Sequence, residues 1–294
     1  MVDGVRMRDG RRLTVEERGD PDGTPVVLLH GTPGCRLGVV PEDVMAAHPG
    51  VRFIAYDRPG YGGSDRLPGR RVADAARDVA ELADALGLGR FAVLGRSGGA
   101  PHALACAALL PARVRRAAAL VSPAPPDAQG LSWFDGMARS NVEEYTRALT
   151  DPLGHADLLA ARAAAIRRDP AQLLVSIRDG LTDADRRIVS TPAVAEMLLR
   201  NYREALRTSA YGWLDDNLAL LSDWGFDPAA VTRPVLLWHG ALDTFSPVGH
   251  FQWLAARIPR ARPVLEPDAG HFGALEALPA VLDWLCASPP HPAP

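Results

Sequence analysis

Phe91-Ala92-Val93-Leu94-Gly95-Arg96-Ser97-Gly98-Gly99-Ala100 is the stretch that decides how the chain is read. Phe91 to Leu94 is a short apolar run of strand type, and Pro101 to Leu110, rich in Ala and Leu, reads as a helix. Between them lies Gly-x-Ser-x-Gly, with Gly95, Ser97 and Gly99 in the fixed places. A turn from strand directly into helix is strained. It lifts Ser97 above the sheet edge, and small residues on either side avoid a clash. Ser97 then sits at a helix N-terminus, where free N–H groups and the dipole favour developing negative charge. That is a place for a nucleophile. So short a motif also arises by chance, so its meaning depends on whether the other parts of a catalytic machine follow in the right places.

Working outward, the same rhythm of strand, loop and helix repeats. Val5 to Met7 and Leu13 to Glu17 flank Asp9-Gly10, a hairpin turn signal, and read as two antiparallel strands. Pro25 to Leu29 and Val51 to Tyr56 are continuous apolar runs, as strands buried on both faces require. The first ends at His30-Gly31-Thr32-Pro33-Gly34, the second at Asp57-Arg58-Pro59-Gly60-Tyr61-Gly62-Gly63-Ser64-Asp65. Val72 to Leu88 carries a helical apolar stripe, and Arg116 to Val121 makes a further strand. Apolar strands alternating with helices predict a parallel sheet covered on both faces. The Gly-rich loops follow the strands, at the edge where open α/β folds bind ligands.

The rhythm breaks between Ser122 and Pro234. That segment predicts helices over roughly 141–150, 155–168, 170–179, 191–207 and 213–222, with Trp133, Phe134, Met137, Tyr145, Met197, Tyr202, Tyr211, Trp213 and Trp224 interspersed. These are core residues of a small helical unit, or else some of them line a pocket between it and the sheet. Pro234 to Trp238 resumes the buried-strand pattern and ends at His239-Gly240-Ala241-Leu242-Asp243. A helix follows over 249–257, then a short strand over 263–265. The loop Pro267-Asp268-Ala269-Gly270-His271-Phe272-Gly273 leads to a last helix over 275–286. The helical segment is therefore an insertion in a continuing sheet.

Composition narrows the function classes. With 294 residues and 47% hydrophobic side chains the chain can bury a full core. The net charge of −3 is scattered, every basic side chain other than His is Arg, and no patch suggests nucleic-acid binding. Cys35, Cys106 and Cys286 are sparse and far apart, which is neither a disulfide framework nor a metal spacing. Met1 to Gly10 lacks a signal-peptide core, and no apolar run is long enough to span a bilayer. These features predict a cytoplasmic protein with no membrane partner. The Pro-rich end from Ala287 to Pro294 is expected to be disordered, with 289–294 set apart as the tail.

A serine hydroxyl needs a base, an acid to orient that base, and donors for the oxyanion. With this kind of turn the chain order is nucleophile, acid, base. Downstream of Ser97, Asp243 ends one strand and His271 follows the next, at the same sheet edge. His271, flanked by Gly270 and Gly273, is the expected base. His30 and His239 each precede Gly at a strand end and are expected to hold loop backbone, and His102 to be structural. His48, His155, His250 and His291 carry no motif. Asp243 is the expected acid, with Asp127 and Asp268 as competitors. The oxyanion donors are expected to be the N–H groups of Gly98 and Thr32, since Pro33 has none. Arg96 has two readings, a structural ion pair or a cation that binds an anionic substrate.

Together these pieces resemble the α/β-hydrolase superfamily, in its capped branch of esterases, proline iminopeptidase-like enzymes, epoxide hydrolases and dehalogenases. The resemblance rests on His30 to Gly34, Asp57 to Ser64, Gly95 to Gly99, His239 to Asp243 and Gly270-His271. It implies an α/β fold, mostly a parallel doubly wound sheet with an N-terminal antiparallel hairpin and an inserted helical cap. Residues 1–123 and 232–288 would form the core and 124–231 the cap. Epoxide hydrolases and dehalogenases carry Asp at the nucleophile, where this chain has Ser97. Proline iminopeptidases usually carry Trp after it, where this chain has Gly98. The expected activity is a serine hydrolase acting through an acyl-enzyme on a carboxylic ester, lactone or thioester of a small, mainly apolar substrate, with no metal or organic cofactor. The alternatives are the same triad serving carbon–carbon hydrolysis, perhydrolysis or a biosynthetic cyclisation, and a non-catalytic small-molecule receptor on the same scaffold.

Overall fold

The computed structural model describes residues 4–287, so the expected disordered tail at 289–294 and His291 lie outside the described residues. β1 (Val5–Arg6) and β2 (Arg12–Leu13) pair antiparallel across the Asp9-Gly10 turn. The expected second strand of this hairpin is split. The Thr14 N–H donates to Ser64 Oγ at 2.9 Å, and its carbonyl accepts the Asp57 N–H at 3.0 Å. Beyond that point β3 (Val15–Gly19) leaves the hairpin and pairs antiparallel with β5 (Val51–Tyr56).

The main sheet has seven strands in the order β3-β5-β4-β6-β7-β8-β9. Here β4 is Thr24–Leu29, β6 Phe91–Arg96, β7 Val114–Leu120, β8 Val235–Gly240 and β9 Ala261–Glu266. All neighbours except β3·β5 are parallel. Alternate strand residues serve opposite faces, as the period-two pleat dictates. Val27, Leu29, Ile54, Tyr56, Val93, Ala119 and Leu237 face the core shared with α2 (Asp74–Ala85), α3 (Ala100–Leu109) and α10 (Val248–Arg257). Val26, Leu28, Phe53, Leu94, Ala118, Leu120 and Trp238 face the other core, shared with α11 (Leu278–Cys286). The near-continuous apolar strands thus follow from burial on both sides. β9 lies at an edge, is half exposed and tolerates Pro263. The short α1 (Glu42–Ala46) was not expected. Among the described residues no helix is long and apolar enough to cross a membrane.

Between β7 and β8 the described chain forms α4 (Arg139–Thr150), α5 (Pro152–Arg168), α6 (Ala171–Ser176), α7 (Asp183–Val189), α8 (Pro192–Ala205) and α9 (Tyr211–Leu220). Five match expected helices to within a few residues; α7 does not correspond to any. Its start is marked in the sequence, because Thr182 and Asp185 form a reciprocal capping box. Leu159, Ile166, Leu173, Leu198, Leu206 and Trp213 of this insertion belong to the same apolar cluster as the α11 face of the sheet. The insertion therefore shares a core with the sheet.

The parallel register aligns Leu29 with Gly95, and Arg96 with Leu120, so the loops after these strands open on one edge. The β6–α3 turn is close-packed there. A Cβ on Gly99 would stand 2.2 Å from the Leu29 carbonyl oxygen, and one on Gly95 2.3 Å from that of Gly99. We expect Gly99→Ala to cost about 2 kcal/mol or more, because rigid backbone must move to admit the methyl group. Urea denaturation reads this directly; an unchanged midpoint and slope would show that the turn has room to spare.

Candidate active site

Ser97 opens a single 3-10 turn, Ser97–Gly99, between β6 and α3. Its φ of 55° lies in the left-handed region, which costs a non-Gly residue on the order of 1–3 kcal/mol. Half-buried, it borders a cavity beneath the inserted helices. Gly98 and Thr32 border the same cavity. They approach so closely that a Cβ on Gly98 would be 2.2 Å from Thr32 Oγ1. Any side chain at Gly98 would push the Thr32 loop away from the turn.

His271, after β9, and Asp243, after β8, meet as the chain order predicts. The Nδ1–H of His271 donates to Asp243 Oδ2 at 2.8 Å. Asp243 is buried, and its other oxygen accepts the N–H groups of Phe245 (2.8 Å) and Ser246 (3.0 Å). Burial alone would raise the Asp243 pKa, but the His271 ring and these donors hold it below the ordinary carboxylate range. With Nδ1 so engaged, Nε2 is the acceptor of the neutral ring. His271 borders the Ser97 cavity. The competitors are elsewhere in character: Asp127 and Asp268 are both exposed.

Of the other described histidines, all but His155 bond to backbone. The His30 Nδ1–H donates to the Gly31 carbonyl at 2.8 Å, and Nε2 accepts the Arg58 N–H at 3.0 Å. His239 reaches the Ser246 carbonyl at 2.7 Å, and His102 the Gly98 carbonyl at 2.8 Å. Burial and the nearby Arg58 push His102 down to about 3, so it stays neutral. His250 bridges Ala124 and Trp133 backbone atoms. His48 meets the Val44 carbonyl, and His155 meets Asn217.

Two acidic residues outside the catalytic motifs hold the site loops in place. Asp185, at the start of α7, accepts the Phe272 N–H at 2.7 Å and so fixes the backbone just after His271. The capping box beside it was the available signal. Asp216, fully buried on α9, accepts from Thr32 Oγ1 (2.6 Å), Tyr61 Oη (2.8 Å), Arg70 (2.7 Å) and Arg58. Arg58 in turn donates to the His30 and Gly31 carbonyls. No sequence pattern marked Asp216, because its partners come from three separate segments.

The cavity leaves about 100 Å³ open to the centre of a water-sized molecule. Tyr145, Tyr202, Trp213 and Phe245 supply apolar lining, beside Ser140, Asn201, Asn217, Arg162 and Glu144. Of the interspersed apolar and aromatic residues, Trp133, Met197 and Trp224 are buried away from it, and Phe134 and Tyr211 are exposed. Arg96 also lines it, and the ion-pair reading of Arg96 fails. Among the described residues no carboxylate lies within 4.0 Å of it, because the chain around the end of β6 offers it only the Gly38 carbonyl, at 3.3 Å. Among the described residues no group of three or more His, Cys, Asp or Glu side chains is arranged to hold a metal.

Burial alone would raise the Asp216 pKa, but Arg58 and Arg70 hold it well below the ordinary 3.8. A depressed folded pKa contributes stability in full above the unfolded value, and that stability is lost as pH falls through the folded one. Asp216→Asn keeps the shape but leaves two buried guanidinium groups without a counter-charge. We expect it to cost about 3 kcal/mol at neutral pH. The gap from wild type should hold down to about pH 4 and narrow below it. Urea denaturation across the pH range measures both, and a gap that widens in acid would refute the assignment.

Residues 24–278 match the family model described as alpha/beta hydrolase fold. The chain is 30% identical over 264 residues to a pimeloyl-[acyl-carrier protein] methyl ester esterase of Nitrosomonas europaea, covering 88% of this chain and 92% of that one. It is 26% identical to a proline iminopeptidase of Neisseria meningitidis, covering 87% and 85%. Among solved structures, an epoxide hydrolase of Vigna radiata superposes with a TM-score of 0.70 at 20% identity, covering 96% of this chain and 94% of that one. At that identity the likeness is one of fold alone. With the turn, the seven-stranded sheet and the matched span in agreement, the chain belongs to the α/β-hydrolase fold family.

Proposed function

We propose that the protein is a serine hydrolase that cleaves a carboxylic ester, lactone or thioester of a small substrate through an acyl-enzyme. The observation that carries this reading is the 2.8 Å bond from His271 Nδ1–H to Asp243, with His271 and the strained Ser97 bordering one cavity. In the proposed reaction Ser97 Oγ attacks the carbonyl carbon as its proton passes to His271 Nε2. Asp243 orients the ring and stabilises the imidazolium. The N–H groups of Gly98 and Thr32 take the oxyanion. Collapse expels the alcohol or thiol, which leaves with the proton from His271. Water then attacks the acyl-enzyme, with His271 taking its proton, and the acid and free Ser97 are released.

The choice of ester over other bonds is supported by Ser at the nucleophile and by the esterase name of a relative aligned over most of both chains. Gly98 supports it further against the peptidase relatives, because the Thr32 loop occupies the space where a side chain would stand. We read residues 124–231 as a cap that sets the substrate. The apolar part would lie against Tyr145, Trp213 and Phe245. The proposal places the enzyme in the cytoplasm, which suits its three unpaired cysteines.

Ser97→Ala should lower kcat with p-nitrophenyl esters roughly 10³-fold or more, and Asp243→Asn by a comparable factor, with folding intact. A fluorophosphonate probe should label wild type at Ser97, located by peptide mass. Near-normal turnover in Ser97→Ala would sink the mechanism.

A further inference from the structure

Among the described residues four arginines are nine-tenths or more buried: Arg11, Arg58, Arg70 and Arg96. Arg11 pairs with Asp78 at 2.6 Å, and Arg58 and Arg70 share Asp216. Arg96 breaks this pattern. It is 6% exposed, immediately precedes Ser97 and lines the same cavity. A guanidinium carries five N–H donors. Here Nη2 reaches the Gly38 carbonyl at 3.3 Å, and Nε is buried with no partner. Its other neighbours are the Phe272 ring, whose centroid is 5.9 Å away, and Tyr202. Neither neutralises it.

Nor is its charge balanced across the cavity. Glu144, the one carboxylate of the lining, accepts from Arg162 at 2.8 Å, Trp213 at 2.7 Å and Asn217 at 2.9 Å. That pair is neutral within itself. A buried guanidinium with no counter-ion is several kcal/mol out of balance, and folds rarely keep one without a use. A planar, fork-like donor set on a residue that lines the cavity beside Ser97 fits a carboxylate, which it can hold through two parallel hydrogen bonds.

We propose that the substrate is an ester carrying a free carboxylate, and that Arg96 is the residue that selects it by completing the missing ion pair. This rests on the serine-hydrolase reading and adds the substrate class. The aromatic lining takes the carbon chain and Arg96 its anionic end. A neutral ester of the same length leaves the guanidinium desolvated and unpaired, and so is discriminated against.

The experiment compares matched p-nitrophenyl and aryl esters. On the acyl side these are p-nitrophenyl hemiglutarate and p-nitrophenyl pentanoate. On the alcohol side they are carboxyphenyl acetate and phenyl acetate. Wild type should favour one anionic member over its neutral twin by about tenfold or more in kcat/KM. Arg96→Gln should abolish that preference, chiefly through KM, and Arg96→Lys should restore part of it. Calorimetric binding of glutarate to wild type, weakened in Arg96→Gln, reads the anion site without turnover. Thermal melting separates a structural role, since removing an unpaired buried charge should leave Arg96→Gln at least as stable as wild type. The proposal is overturned if wild type shows no anionic preference and no glutarate binding. It is equally overturned if the preference survives in Arg96→Gln, or if that variant is destabilised and loses activity equally on both twins. Absent fluorophosphonate labelling of wild type, with glutarate still bound through Arg96, would instead remove the hydrolase reading and leave the anion site standing.

Discussion

One buried carboxylate holds the site edge together. Asp216 has no exposure and sits among Arg58, Arg70, Tyr61 and Thr32, which come from the loop after β4 and from the segment after β5. Two guanidinium groups cannot be buried there without a counter-charge, and one carboxylate cannot be buried without donors. Each makes the other tolerable. Arg58 then spends its remaining donors on the His30 and Gly31 carbonyls, and His30 accepts the Arg58 N–H in return. The loop bearing Thr32 is fixed from both sides as a result. The Thr32 hydroxyl is committed to Asp216, so what it can offer the cavity is its backbone.

The β6–α3 turn is held by different physics. The left-handed φ of Ser97 is local strain, and it persists because parallel strands on both sides fix β6 while Gly95 and Gly99 let carbonyl groups come within contact. Gly98 links the two devices. Its missing side chain is what allows Thr32 to close against the turn. Strain supplied by the sheet and charge neutralised by Asp216 therefore meet where Gly98 packs against Thr32.

What the sequence made legible follows from range. Strands buried on both faces must be apolar throughout, and a parallel sheet must place its loops at one edge, so the strand set and the approach of Asp243 to His271 could be read from order alone. His30, His239 and His102 could be set aside because a His before Gly at a strand end, or behind the turn, has backbone to bind. The hairpin boundary was misread because Thr14 is claimed by Ser64 and Asp57, about fifty residues away. Asp216, and the choice between the two readings of Arg96, were out of reach for a related reason. Whether a charge is paired depends on which segment folds over it, and chain spacing carries no trace of that. Asp185 is intermediate: its cap was readable from Thr182, but its bond to Phe272 was not.

The inserted helices do more than enclose space. The loops that carry Thr32, Asp243 and His271 are each tied to one of them or to the segment around them. Asp216 on α9 holds Thr32, and Asp185 on α7 holds the backbone after His271. The Asn141 side chain on α4 donates to the Phe245 carbonyl, beside Asp243, and Thr244 Oγ1 donates to the Gly180 carbonyl. Asn201 on α8 accepts the Cys35 N–H at 2.8 Å, next to the segment that meets Arg96 at Gly38. An insertion joined to the sheet by a shared apolar core and by these polar contacts cannot swing as a free lid without releasing the site loops. Substitutions on its helices should therefore alter the geometry around Ser97 as well as the cavity wall, so cavity shape and loop positioning cannot vary independently in this chain.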